Sequence, residues 1–413
     1  MANAINNTKD AGYAFAKMGA TVFEDNLAFC KSISKTPGKE FHGDSGYSHG
    51  DTITIPLPAR SAPTSAFDQT STVQDISEKN VPLTLDIISS SAFEVNSLEF
   101  ATEIQMANVY ERVIKPAMID LAHDFEYKVI DKAQDAVFNS VGTAGSNVFD
   151  TDTILHARQI MGQGLCPKDD QRFFLFDGYA GRKAVGARKG QFQDAGEIAK
   201  QYKQGLVGRA DGFNWLESEM VSEHTNGNDV AFEVRTTVST QGATTLVVEG
   251  LTTTTGTVTK GTVFEVATVN AVNPQTKREY TDRPQQFVVT EDATADGSGY
   301  ATLSVAPAMY TTGANQNISA FPADGDTITP VGSASTGYVQ NIAYHKDAFR
   351  LATAPLVMPK GSSVQFAGQY RYKGMNVAVV YDWDQLKRSM VLRLDILGAL
   401  AAPRPEWACR VTA

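Results

Sequence analysis

Apolar and polar positions along this chain keep two rhythms, and the places where the rhythm changes mark its blocks. Near the start, Phe15, Met18, Val22, Leu27 and Cys30 fall close to helical spacing, which predicts an amphipathic helix within residues 11 to 33 of an otherwise polar N-terminal arm. Such a helix docks on its own core or on a neighbouring chain. The segment Ser32 to Gly46, with Pro37, Gly38, Gly43 and Gly46, reads as a tether, which favours the neighbour. Thr52 to Leu57 reads as a strand, and Val81, Leu83, Leu85 and Ile87 alternate with Pro82, Thr84 and Asp86 as in a half-buried strand. The polar stretch from Arg60 to Asn80 between them is long for a connection inside a compact domain. The pair is therefore expected to form a long hairpin reaching away from its domain.

The strongest helical stripe follows. Met118, Leu121, Ala122, Phe125, Val129, Ala133 and Ala136 share one face, and Asp120, Asp124, Lys128, Asp131 and Asp135 the other. Pro116 suits the first turn, where its missing N–H costs nothing. The stripe runs to about Phe138, with Gly142 and Gly145 as stops, so a helix of about 23 residues and roughly 35 Å is expected. Between residues 150 and 224 short helices and strands alternate: Ile154, Ala157, Ile160 and Met161 mark a helix, Phe173 to Phe176 a buried strand, Asp177 an N-cap, and Ala195 to Tyr202 a further helix. From Asn226 to about Ser335 the pattern becomes that of short β runs, at Thr244 to Val248, Thr262 to Val269, Phe287 to Thr290 and Tyr300 to Val305, with a turn at Asp296-Gly297-Ser298-Gly299. An all-β module, barrel or sandwich, inserted into an α+β chain is the expectation. Ile342 to Met358 and Val377 to Ala413 should return to mixed character.

Composition narrows the classes. The chain has 413 residues, 42% apolar and 20% charged, enough to fold without staples. Its formal charge is −10, whereas a protein gripping nucleic acid needs a cationic surface to replace phosphate counterions. A wall that holds DNA without adhering to it is compatible with that charge. Cys30, Cys166 and Cys409 are far apart and without a C-x-x-C pair, so they are read as reduced packing residues. No uncharged apolar run reaches the ~18 residues of a membrane span, and no signal peptide is visible, so the expectation is a cytoplasmic product with no membrane contact.

Motifs that carry chemistry are weak here. Gly46-Tyr47-Ser48-His49-Gly50 matches the nucleophile elbow of α/β-hydrolases, but a strand follows Ser48 where a helix is required. His42-Gly43-Asp44 and His49-Gly50-Asp51 lack further metal ligands. Gly181 to Gly186 begins like a phosphate loop, yet Ala187 and Arg188 stand where Lys and Ser or Thr are needed. Asp292, Asp296 and Gly297 lack the closing Glu of a calcium loop, and Tyr370, Arg371, Tyr372 and Lys373 form one basic cluster in an acidic chain. No catalytic residue, metal site or cofactor is expected.

Several runs, ERVIKPAMIDLA (111 to 122), FNSVGTAG (138 to 145), CPKDDQRFFLFDGYAG (166 to 181) and LRLDILGALAAPRPEWACRV (392 to 411), together with the order of the blocks, resemble the coat proteins of short-tailed phages of the Salmonella type. That resemblance covers the whole chain. It implies an α+β fold of the Hong Kong 97 capsid type: an N-terminal arm (1–40), an extended loop hairpin (41–97), a spine helix with peripheral domain (98–149), an axial domain (150–225), an inserted all-β barrel domain (226–335), and the axial and peripheral remainder (336–413). It also implies a major capsid protein of a tailed double-stranded DNA bacteriophage, non-catalytic and located in the virion. The implied partners are further copies of itself in the hexamers and pentamers of an icosahedral shell, a scaffolding protein, a portal protein, and enclosed double-stranded DNA bound without sequence specificity. Assembly in the host bacterial cytoplasm is implied as well. Phe15, Met18, Val22, Leu27 and Lys79 are the candidate subunit contacts. Lys79 is the only lysine of the hairpin, and no crosslinking role is assigned to it, because the branch resembled is not expected to crosslink.

Two other classes compete. A secreted adhesin or binding module would fit the Thr-rich β segment, and a serine esterase would fit Ser48. Neither accounts for arm, hairpin and insertion together.

Overall fold

The computed structural model describes residues 8–36, 52–58, 79–96, 114–145, 150–187, 208–356, 364–384 and 389–412. They fall into two units, one made of Met1–Ile55, Pro82–Ile130 and Arg350–Ala401, the other of Pro56–Val81, Asp131–Phe349 and Ala402–Ala413. The first unit thus joins three separated stretches of chain, which block-by-block reading of the sequence does not show. The hydrogen bonds between distant strands explain why.

In the first unit the long strand Ser389–Ala401 pairs antiparallel with Ile87–Asn96, from Ser389 opposite Asn96 to Gly398 opposite Ile87. It also pairs with Met375–Asp384 and then Arg350–Ala354; Val364–Tyr372 and Ser34–Lys35 complete the six-stranded sheet. Three helices belong here: α1 (Thr8–Asp25), α2 (Phe29–Ser32) and α3 (Lys115–Asp135), the last as far as Ile130. The expected stripe of α3 is buried at Met118, Leu121, Ala122, Phe125 and Val129. Gly398 makes room for it, since a Cβ there would lie 2.7 Å from the Phe125 ring. Helix α1 brings Phe23 within 5.8 Å of the same ring, centroid to centroid.

The phase of α1 differs from the expected one. Its buried positions among the described side chains are Ala16, Gly19, Ala20, Phe23 and Glu24, while Met18 is 44% exposed and Val22 half-buried. Small residues let the helix approach closely, so spacing of the large apolar side chains marked the wrong face. Past the helix, Leu27, Phe29, Cys30 and Ile33 are buried, and Ser34–Lys35 pairs parallel with Arg350–Leu351. Residues 16 to 35 therefore pack within their own unit, contrary to the expectation of an arm held away from it.

The hairpin expectation also needs correcting. Thr52–Leu57 and Lys79–Thr84 do form a two-stranded sheet, with the hydroxyls of Thr52 and Thr84 3.0 Å apart. The strand stops at Thr84, however, and Ile87 opens a new strand in a different sheet. Unbroken alternation through Leu85 and Asp86 hides this break. The connecting residues 59–78, the Ser48 and His42 to Asp51 segment, and the Ala195 to Tyr202 helix lie outside the described residues.

In the second unit α3 ends at Asp135 and not near Phe138, because the last turn tightens: Ala136 N–H donates to Ala133 O and Val137 N–H to Gln134 O. Helix α4 (Thr151–Gln163) is capped by Asp150, which accepts from Thr153 N–H at 2.9 Å, and α5 (Gly178–Ala187) by Asp177, which accepts from Ala180 N–H at 3.1 Å. A seven-stranded sheet runs Ser140–Val141, Ala408–Thr412, Gly337–His345, Arg172–Phe176, Phe213–Glu217, Arg209–Ala210, with Glu223–Thr225 on the start of Gly337–His345. Ile154, Ala157, Ile160 and Met161 of α4 pack with Phe174, Phe176, Phe213 and Cys409 of that sheet. In Ile342 to Met358 and Val377 to Ala413 the expected return to mixed structure is not seen: among the described residues the only helices there are single turns at Lys346–Ala348 and Pro405–Trp407.

Six strands close into a barrel in the order Phe232–Val234, Ala243–Glu249, Ala301–Met309, Glu279–Val289, Val263–Val272 and Thr327–Pro330. Closure removes free edges, and alternate residues point inward. Phe232, Leu246, Phe264, Val266, Phe287, Leu303 and Ile328 form its core. A second set of contacts holds the barrel to its own unit. Arg283 donates to Asn139 Oδ1 (2.9 Å) and Gln163 Oε1 (3.0 Å), Lys260 pairs with Asp135 (2.9 Å), and the fully buried Arg410 donates to Gly261 O (2.7 Å).

Candidate assembly surfaces

Assembly needs side chains that the subunit does not use itself, so the candidates divide by what each already touches. Leu27 is 3% exposed and packs within its own unit, which removes it as a contact side chain. The Phe15 side chain lies outside the described residues. Met18 stays largely exposed and Val22 half so, on a flank of α1 that the buried Ala16, Ala20 and Phe23 do not occupy. Lys79 sits at the start of its strand with Nζ 4.5 Å from the centroid of the Tyr310 ring, a cation–π contact with the barrel's Tyr310 turn.

The strand Ile87–Asn96 offers a position that the sequence analysis did not single out. Ile88 is 62% exposed, whereas Ile87 and Ser89 on the opposite face are buried. The strand is fixed beneath it: Asp124 Oδ2 accepts from Ser89 Oγ and from Lys128 Nζ, both at 2.6 Å, and Lys128 also donates to Ile88 O. Ile88 is thus a large aliphatic side chain held to water on a strand fixed from below. In the second unit Leu155, Leu165, Tyr179 and Val339 are exposed in the same way.

The sequence's chemical motifs resolve into structural roles. Asp296 Oδ1 accepts from Ser298 N–H and Tyr300 N–H in a turn closed by Gly299 at φ +77°, and Asp292 accepts from Lys260 N–H, so both carboxylates serve turns. Gly181 lies inside α5 against the Phe176 ring, which is helix packing and not a phosphate loop. Lys373, last of the basic cluster, gives its Nζ to Glu24 at 3.1 Å and so ties the Lys373-Gly374 turn to α1. Cys30, Cys166 and Cys409 are buried free thiols, and burial pushes the Cys409 thiol up to about 12. None is a ready nucleophile.

Several buried polar groups went unread in the sequence. Glu126, inside the apolar stripe of α3, accepts from Ala28 N–H and Phe29 N–H and so caps α2. His224 lies near Arg410 and Asp135, and burial chiefly, with the Arg410 charge, lowers it to about 4. Its neighbours come from distant parts of the chain, so no local pattern points to it.

Among solved structures the chain is similar to one from Mycobacterium phage Che8 at 14% identity, covering 93% of this chain and 91% of that one with a TM-score of 0.48. It is similar to the capsid structure of the cyanophage P-SCSP1u at 13% identity, with 92% and 89% covered and a TM-score of 0.42. A third is the asymmetric unit of the bacteriophage PhiM1 mature capsid, at 11% identity, 93% and 86% covered, TM-score 0.43. No curated protein matches the chain. The model of the family described as "P22 coat protein - gene protein 5" matches residues 3–410, which leaves no room for an adhesin or an esterase as the whole-chain reading. The chain belongs to the P22 coat protein family and is a structural major capsid protein of a tailed phage head, not an enzyme.

Proposed function

We propose that this capsid protein builds its shell from hexamers and pentamers around an internal scaffolding protein and a portal ring, in the bacterial cytoplasm, and that the finished shell encloses double-stranded DNA. The family match over residues 3–410 carries this reading. Two further observations support it. The formal charge of −10 suits a wall that does not adhere to the packed DNA. Exposed apolar side chains occur singly in both units, at Met18, Ile88 and Tyr127 in one and at Leu155, Leu165, Tyr179 and Val339 in the other, which suits many small contacts over one large one. Small contacts repeated around closed symmetric rings multiply into a stable shell, and each remains weak enough to correct.

Co-expression of the chain with the scaffolding protein of a phage carrying it tests the partner. Fast-sedimenting particles from the cytoplasmic fraction should contain both proteins. Scaffolding protein left in the supernatant while the capsid protein pellets alone would count against the scaffolded route.

A further inference from the structure

A cavity of about 210 Å³ in the second unit is bordered by the Leu57 and Lys79 ends of the hairpin strands, the barrel and the Pro403 to Glu406 turn. Three cations line it, Lys79, Arg283 and Arg404, against a single carboxylate, Glu406. In a chain with ten more acidic than basic side chains that is an inversion of local charge. Moreover, among the described residues none of the three cations is in an ion pair. Lys79 lies over the Tyr310 ring, and Arg404 stacks on Trp407 with its guanidinium carbon 4.4 Å from the ring centroid. Arg283 donates only to the neutral amide oxygens of Asn139 and Gln163.

Each guanidinium has five N–H groups and an ammonium three, and among the described residues two of the thirteen are used in hydrogen bonds to protein acceptors. Arg283 is half-buried, and burial lowers its affinity for the proton by more than the nearby Asp282 and Glu265 charges raise it. A charge withdrawn from water is stabilised by a partner of opposite sign. The amide of Asn315 lines the same space and adds neutral donors.

We propose that this cavity is a binding site for a small oxyanion, of the phosphate class, held by Lys79, Arg283 and Arg404. The donor set is forked and planar at the two arginines, which suits the oxygens of a tetrahedral anion. The rest of the lining mixes apolar side chains, including Leu57, Phe138, Val272 and Pro307, with the neutral amides of Asn139, Gln163, Gln285 and Asn317, and the space is a recess and not a stripe. That geometry selects a free ion over the backbone of duplex DNA, whose phosphates need an extended cationic track. Occupancy would tie the Lys79 end of the hairpin, the barrel and the C-terminal turn through one ion, stabilising the subunit by mass action.

The test uses the full chain, purified and unassembled. Its thermal midpoint is measured in inorganic phosphate and in chloride at equal ionic strength, alongside phosphorus-31 line widths of the phosphate. The expected result is a saturable rise of a few degrees with matching line broadening, both lost in Lys79→Met and in Arg404→Gln and both kept in Arg278→Gln, an exposed cation outside the cavity. No rise, or a rise equal in all four proteins, overturns the site. Short duplex DNA is the remaining arm: displacement of phosphate by the duplex, with the same dependence on Lys79 and Arg404, overturns the restriction to a free ion.

Discussion

Glu126 shows how a single carboxylate can hold a local fold. It is 1% exposed and accepts from two backbone N–H groups at the start of α2, while burial raises its affinity for the proton. Glu126→Ala leaves Ala28 and Phe29 N–H without that acceptor and is expected to cost roughly 2–6 kcal/mol in urea unfolding, at about 1–3 kcal/mol per orphaned group. Glu126→Gln keeps an acceptor oxygen and should cost far less; equal losses would show that the charge, not the cap, matters. His224 makes the opposite kind of statement. With its folded-state value near 4 against an ordinary 6.5, the unfolded chain binds more protons between those values, so stability is full above pH 6.5 and drains as pH falls towards 4. The loss amounts to about 3 kcal/mol at most. Comparing denaturant midpoints at pH 7 and pH 4.5, His224→Gln should lose less than the parent on acidification. An unchanged acid loss would place the titration elsewhere.

Elements separate folding from assembly. Phe23 of α1 is fully buried against Phe125, so Phe23→Ala should destabilise the subunit by about 3–5 kcal/mol. Met18 on the exposed flank is different: Met18→Ser should shift subunit stability by no more than about 0.5 kcal/mol while slowing shell formation followed by light scattering. Normal assembly kinetics would remove Met18 from the contact surface. The barrel supplies a third case. Its core of Phe232, Leu246, Phe264 and Phe287 is internal, so residues 226–335 expressed alone should give dispersed amide resonances. A collapsed proton spectrum would show that Arg283, Lys260 and Gly261 need their partners outside the barrel. Helices α3 and α4 were legible because one apolar stripe faces one core, and the barrel strands because polar turns punctuate them. The α1 face was not, since alanine and glycine carry little periodic signal. Nor was the end of the hairpin, where alternation continues unbroken across a change of sheet.

At the scale of the molecule, local pattern carries the kinds of element but not their long-range pairing. The C-terminal run 392 to 411 resembled coat proteins, yet nothing in it shows that Ser389–Ala401 pairs with Ile87–Asn96, or that Arg410 is sunk beneath the barrel's Gly261 turn. Contact surfaces were less legible still, because a residue that meets a neighbour looks in sequence like one that meets its own core. Leu27 and Met18 share one predicted stripe and have opposite fates. We propose that the subunit buries its own cores and that its exposed apolar side chains, dispersed over both units, meet copies of itself. Electron microscopy of the purified chain under assembly conditions tests that claim most directly. Closed icosahedral shells with hexameric and pentameric clusters are the predicted result, and a chain that folds with a sharp thermal transition yet stays monomeric at every concentration and with scaffolding protein present would contradict it.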